Sequence, residues 1–78
     1  MSKIENKILT DLVYDKIKTM IDDGVLQPGC KVNKPQLAEM LGVSQTPIND
    51  ALSRLAGEKF IEIKRRQGNF VRSFSEEA

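Results

Sequence analysis

Few residues in the chain could carry out covalent or acid–base chemistry. There is no histidine and only one cysteine, Cys30. Without histidine the commonest general base and the commonest metal ligand are missing. One Cys and no His leave no zinc site with ordinary ligands. The phosphate-loop and nucleophile-elbow patterns GxGxxG, GxxxxGK[ST] and GxSxG do not occur. The sequence therefore predicts no enzyme, no catalytic residue, no metal and no cofactor. Cys30 reads as a small loop residue. A lone thiol allows no internal disulfide, which fits a reducing compartment and a cytoplasmic location.

What remains is hydrogen-bonding chemistry. The stretch "GVSQTPINDALSRL" carries Ser44, Gln45, Thr46, Asn49 and Ser53 at spacings that share one side of a helix. Gln and Asn side chains each offer a donor and an acceptor, the pair that matches adenine N6 and N7. Asp50 lies among them and is expected to pair with Arg54, four residues on. The bland reading is a solvated polar face on a small structural helix. The sharper reading is a face that reads base edges.

A second set is charged. The net charge is +1, but residues 54–72 carry six Lys or Arg against two Glu. Residues 1–30 and the tail 73–78 are net acidic. A near-neutral total thus hides a basic C-terminal third, and that asymmetry suits a polyanion partner. Arg65 and Arg66 sit in "KRRQGN". They either contact phosphates or are a charged tip that blocks edge pairing. Lys34 could also reach a phosphate, and helix N-terminal amides suit anions. Arg54 and Lys59 read as ordinary surface charge.

The elements that must position these residues can be read from periodicity. Seventy-eight residues allow one small domain. No apolar run approaches the roughly 20 residues that span a bilayer, and the charged "MSKIENKILT" is no signal peptide. The domain is expected over 8–74, with 1–7 and 75–78 as flexible ends. Ile8, Leu9, Leu12, Val13, Ile17, Met20 and Ile21 form one helical stripe, predicting a helix from about 10 to 23. Thr10 or Asp11 would start it, and Gly24 would end it.

Pro28-Gly29 then marks a turn, and Lys31-Val32 a very short strand. Asn33 is a plausible N-cap for a second helix over about 34–41, with Pro35 in its first turn and Gly42 at its end. Ser44 caps a third helix, making Gln45, Thr46 and Pro47 its first three residues. Proline there loses no helical bond, because the first N–H groups have no internal partner. With Pro47 lacking a donor, the Ser44 hydroxyl is expected to accept from the Thr46 N–H. Ile48, Ala51, Leu52 and Leu55 face inward at i, i+3, i+4, i+7.

Two helices joined by Gly42-Val43-Ser44, with Val43 as an apolar pin, make a helix-turn-helix over 34–57. "FIEIK" and "NFVRS", separated by a basic, Gly-ending tip, make a hairpin over 60–73, with Ile61 and Ile63 on one face. The predicted fold is α+β, mainly α: a three-helix winged helix-turn-helix with a C-terminal two-stranded β-hairpin wing.

These residues also resemble a known family. "IDDGVLQPGCKVN", "LAEMLGVS", "SQTPINDALSRL" and "FIEIKRRQGNFV" together look like the DNA-binding domain of the GntR family of bacterial transcriptional regulators, in its FadR-like branch. The resemblance covers about residues 10–72. It implies a third helix in the DNA major groove and a wing on the phosphate backbone or minor groove. It puts Ser44 and Thr46 at backbone-contacting positions, Gln45 and Asn49 at base-reading positions, and Arg65, Arg66, Gln67 and Gly68 at the wing tip.

Four positions depart from the family pattern. The family motif usually has Arg where this chain has Gln45 and Asn49, an acidic residue where it has Lys34, and often Arg where it has Pro35. Arg suits guanine O6 and N7, so the expected base preference moves toward adenine. The resemblance further implies a repressor that binds a palindromic double-stranded operator as a homodimer in the nucleoid. It also implies a larger C-terminal effector domain, so the chain is expected to be a fragment of a longer repressor or a short relative. The alternative is a winged helix used as a protein-interaction module.

Overall fold

Three helices and three short strands follow in the order α1 (Lys3–Asp22), β1 (Lys31–Val32), α2 (Lys34–Leu41), α3 (Gln45–Gly57), β2 (Ile61–Lys64) and β3 (Gly68–Val71). They are seen in a computed structural model that describes residues 3–73, with side chains from residue 7 onward.

α1 departs from its expected bounds. It begins at Lys3, not near residue 10, so Thr10 and Asp11 lie inside the helix and cap nothing. Residues 3–9 contain no Gly or Pro and include strong helix formers, so nothing local stops the helix from extending back. Residues 1–2 and the tail 75–78 lie outside the described residues. At its other end α1 behaves as expected. Gly24 adopts φ +82° and its N–H reaches the Ile21 carbonyl at 3.2 Å.

The face that α1 buries is narrower than its apolar stripe. Val13, Ile17 and Met20 are buried, whereas Ile8 is 54% and Leu12 61% exposed. Leu12 is about 100° around the helix from Val13, outside the sector that meets α3.

Pro28-Gly29 forms the predicted turn. The Cys30 N–H bonds the Gln27 carbonyl at 3.1 Å, and Gly29 adopts φ +84° at the third position. That is a type II turn, with Pro28 at its second position. The chain then enters β1.

The sheet order is β1-β3-β2, all antiparallel. The hairpin β2–β3 matches the expected wing, but β1 adds a third strand and makes β3 central. Lys31 lies opposite Phe70, and Val32 opposite Asn69. On the other side Ile61 lies opposite Val71, and Ile63 opposite Asn69. Ile61 and Val71 are buried, but Ile63 is 59% exposed. It shares their face of the sheet without sharing their cover, so only half of the expected Ile61/Ile63 pair enters the core.

The core lies between the helices and the inner face of the sheet. Ile17, Ile48, Leu52, Leu55 and Val71 are its largest fully buried side chains. Each such burial stabilises by about 1.5–3 kcal/mol. α3 ends with Lys59 in the left-handed region, at φ +72°. The Lys59 N–H bonds the Ala56 carbonyl and the Phe60 N–H bonds the Leu55 carbonyl, closing the last turn and starting β2.

Candidate nucleic-acid interface

The start of α2 is fixed locally. Asn33 is extended at φ −99° and ψ 104°, and its Oδ1 accepts the Gln36 N–H at 2.9 Å. Lys34 and Pro35 fill the first two helical positions. Gly42, at φ +69°, ends the helix. The Gly42 and Val43 amides satisfy the Glu39 and Ala38 carbonyls at 3.3 and 3.0 Å. Val43 packs half-buried against the core. The tight bend sets α3 off from Ser44 at once.

Ser44 occupies the N-cap of α3 at φ −73° and ψ 174°, but its side chain makes no capping bond. The expected bond to the Thr46 N–H is absent. Pro47 has removed the donor at the third helical position, one of the two that a capping serine uses. Pro47 is also buried. It fills core space as well as occupying a place that needs no N–H.

α3 buries Ile48, Ala51, Leu52 and Leu55 as the stripe requires. Gln45, Thr46, Asn49, Asp50 and Ser53 are all exposed, as is Ser44. The helix thus shows hydroxyls and carboxamides on one uncovered side. Asp50 does not pair with Arg54. Arg54 turns the other way and meets Asp11 of α1, with the Nη1–Oδ1 distance 2.9 Å. Arg54 is therefore part of the joint between α1 and α3 rather than ordinary surface charge. In the same joint the Tyr14 hydroxyl donates to Glu58. That hydrogen bond, with burial and the Glu58 charge adding to it, raises the Tyr14 pKa above its ordinary value.

The wing tip turns at Lys64–Gln67, with the Gln67 N–H on the Lys64 carbonyl at 3.0 Å. Arg66 is held at φ +68°, a conformation uncommon for a side chain of its size. Arg65, Arg66 and Gln67 are exposed. Gly68 follows at φ +116°, and a Cβ there would lie 3.0 Å from Lys31 Cε. The positive φ at Gly68 is what favours glycine there, since the neighbouring Lys31 end can move aside. The Lys64 ammonium sits 4.8 Å from the centre of the Phe70 ring.

Lys34, Gln45 and Gly68 come together in one open groove, with Lys31, Asn33 and Asn69. It runs between the starts of α2 and α3 and the tip end of β3. Its charged lining residues are Lys31 and Lys34, with no carboxylate. Thr46, Asn49 and Ser53 continue along α3 outside this groove, and Arg65, Arg66 and Gln67 stand at the far tip of the hairpin. Sequence reasoning missed Lys31 and Asn69. Only the β1–β3 pairing, which spans some forty residues of chain, brings them here.

Comparison with known proteins places this arrangement. Residues 9–71 match the model of the gntR family of bacterial regulatory proteins. The chain is 34% identical over 62 residues to an uncharacterized HTH-type transcriptional regulator, YdhC of Bacillus subtilis, covering 80% of this chain and 28% of that protein. A GntR-family transcriptional regulator from Pseudomonas syringae superposes with a TM-score of 0.74 at 25% identity, covering 87% of this chain and 30% of that one. YtrA from Sulfolobus acidocaldarius, a GntR-family transcription factor, superposes with a TM-score of 0.65 at 31% identity, covering 88% of this chain and 59% of that one. The chain spans about a quarter of the length of the curated relatives it matches. No helix among the described residues is long and apolar enough to cross a membrane. The chain therefore belongs to the gntR family of bacterial regulatory proteins, and its fold is a winged helix-turn-helix.

Proposed function

We propose that α3 docks in the major groove of an operator, where Gln45 and Asn49 discriminate bases. Ser44, Thr46, Ser53, Lys34 and the wing residues Arg65, Arg66, Gln67 and Gly68 hold the backbone. The observation that carries this reading is the exposed row Gln45, Thr46, Asn49 and Ser53 beside a groove whose charged lining is entirely basic. Gln and Asn side chains favour adenine, so the preferred site carries adenine where arginine-bearing relatives would take guanine.

One module of net charge +1 binds weakly by itself. Two copies on a two-fold operator supply the second half-site and the avidity. In this reading the chain acts in the cytoplasm, on the nucleoid, as the DNA-binding part of a longer homodimeric repressor.

The test begins with selection of random duplex DNA on the purified protein. Asn49→Ala should then lose about 1–3 kcal/mol of discrimination at one base position. Arg66→Ala should weaken all sequences alike and lower the salt slope by about 1. Wild-type-like binding by both variants across a salt titration would overturn the reading. The exposed Asp50 carboxylate on the α3 face, which meets no cation among the described residues, favours a second reading, a protein-interaction module. Tight protein binding with no salt-dependent DNA affinity would select it.

A further inference from the structure

Two apolar side chains of α1 point away from the core. Ile8 is 54% and Leu12 61% exposed, and they lie one turn apart on one face of the helix. Single exposed apolar residues are ordinary on a protein surface. These two are not isolated. Leu12 also borders an open groove beside α1, with Leu9, Val13, Leu41 and Val43 as its apolar lining and Lys16 as its charged lining. Met40, next to Leu41 on α2, is 58% exposed.

The patch thus carries protruding side chains and a recess side by side. A surface that meets its own copy about a two-fold axis needs both. Ile8 and Leu12 are also the smallest pattern that matches itself. Let two α1 helices run antiparallel, with the axis midway between these positions. Ile8 of each copy then lies against Leu12 of the other. The same register brings α1 position 5 close to position 16 of the partner, and the sequence has Glu at the one and Lys at the other. The Lys16 stem can cover apolar surface while its ammonium stays in water.

We propose that this face is where two copies of the chain touch when they occupy neighbouring half-sites of one operator, Ile8 of each against Leu12 of the other. Three half-exposed side chains fall far short of the roughly 800 Å² that each partner of a stable complex buries. The contact therefore does not hold two free chains together. It acts where the duplex has already brought them close, and the high local concentration there lets a small contact couple the two binding events. The inference rests on the DNA-binding reading and adds to it a protein–protein contact on α1, not on α3 or the wing.

The test uses the site recovered by selection from random duplex DNA. It is offered as a single copy and as inverted repeats at stepped spacings, with thermal unfolding of each variant as the control. At one spacing the wild type should fill the second site roughly tenfold more tightly than the first. Leu12→Ser and Ile8→Ser change exposed positions and should unfold near the wild-type temperature. Both should keep the single-site affinity and lose the second-site gain. Ile8→Lys chains alone and Leu12→Glu chains alone should lack the gain as well. An equal mixture of the two should recover it, because opposite charges then face each other across the axis.

A second-site gain that survives both serine variants overturns the proposal. So does a wild type that binds the single site but shows no gain at any spacing. A mixture without recovery overturns the pairing of Ile8 with Leu12. Absence of salt-dependent duplex binding in the wild type would instead remove the DNA-binding reading, and this contact with it.

Discussion

Arg54 on α3 reaches across 43 residues of sequence to Asp11 on α1, and its guanidinium lies 4.5 Å from the centre of the Tyr14 ring. Asp11 and Tyr14 are one turn apart on α1, facing Arg54 of α3 and Glu58 at its C-cap, one turn on. Two polar contacts thus close the rim of an interface whose centre is Val13, Ile17, Leu52 and Leu55. Both ends of the ion pair are partly exposed, at 38% and 48%. Solvent screening therefore limits its worth. Arg54→Ala should lower stability by about 1 kcal/mol, ion pair and ring contact together. Asp50→Ala should leave stability unchanged in the same urea titration. A loss at Asp50 equal to that at Arg54 would restore the pairing within α3.

Tyr14 is the one tyrosine in the chain, so its ionisation can be followed directly by phenolate absorbance. Its hydrogen bond to Glu58 favours the neutral phenol and raises its pKa above 10.0. The folded state therefore holds this proton more tightly than the unfolded chain. The associated stability is fully present below about pH 10 and is lost as pH rises through the folded value. Glu58→Gln should bring the midpoint back toward 10.0. A wild-type midpoint at or below that value would contradict the contact.

Asp50 stays on the same exposed side of α3 as Asn49 and Ser53. A carboxylate beside a docked duplex repels phosphates. Asp50→Asn should tighten binding to all duplexes by roughly two- to fivefold at low salt, with the gain shrinking as salt rises. Unchanged affinity at low salt would mean that this face of α3 does not approach DNA.

The two helix starts differ in how they are held. Asn33 caps α2 with a side-chain bond at 2.9 Å, whereas Ser44 makes none. Asn33→Ala should cost about 1 kcal/mol in thermal or chemical unfolding. Ser44→Ala should cost little stability and instead weaken DNA binding. Equal stability losses at the two positions would show that Ser44 caps α3 after all.

The parts of the fold that the sequence makes legible are those fixed within a few residues. The Pro28-Gly29 turn, the Asn33 cap, the Gly42 stop and the inward row from Ile48 to Leu55 all depend on local geometry. The parts that stay hidden depend on what lies across the core. The apolar pattern cannot say that Leu12 stays in solvent, because only the position of α3 decides which sector of α1 is covered. Nor can it give Arg54 its partner, since Asp50 and Asp11 are equally plausible until the helices are packed. The candidate site divides in the same way. The outward polar face of α3 follows from period and spacing, and the basic hairpin tip from its Gly and Arg residues, whereas the DNA-reading roles given to them rest on the family resemblance. Lys31 and Asn69 belong to no local pattern and line one groove only because β1 adds itself to the hairpin.

That added strand has a mechanical consequence. β1 passes into α2 through Asn33 alone, and it is bonded to β3, the middle strand of the wing. The start of the helix-turn-helix and the wing are thereby tied together through one residue and one strand pairing. In the proposed docking, a duplex touched by both must match their spacing, and discrimination then extends to base steps that no side chain touches, through the stiffness of the DNA itself.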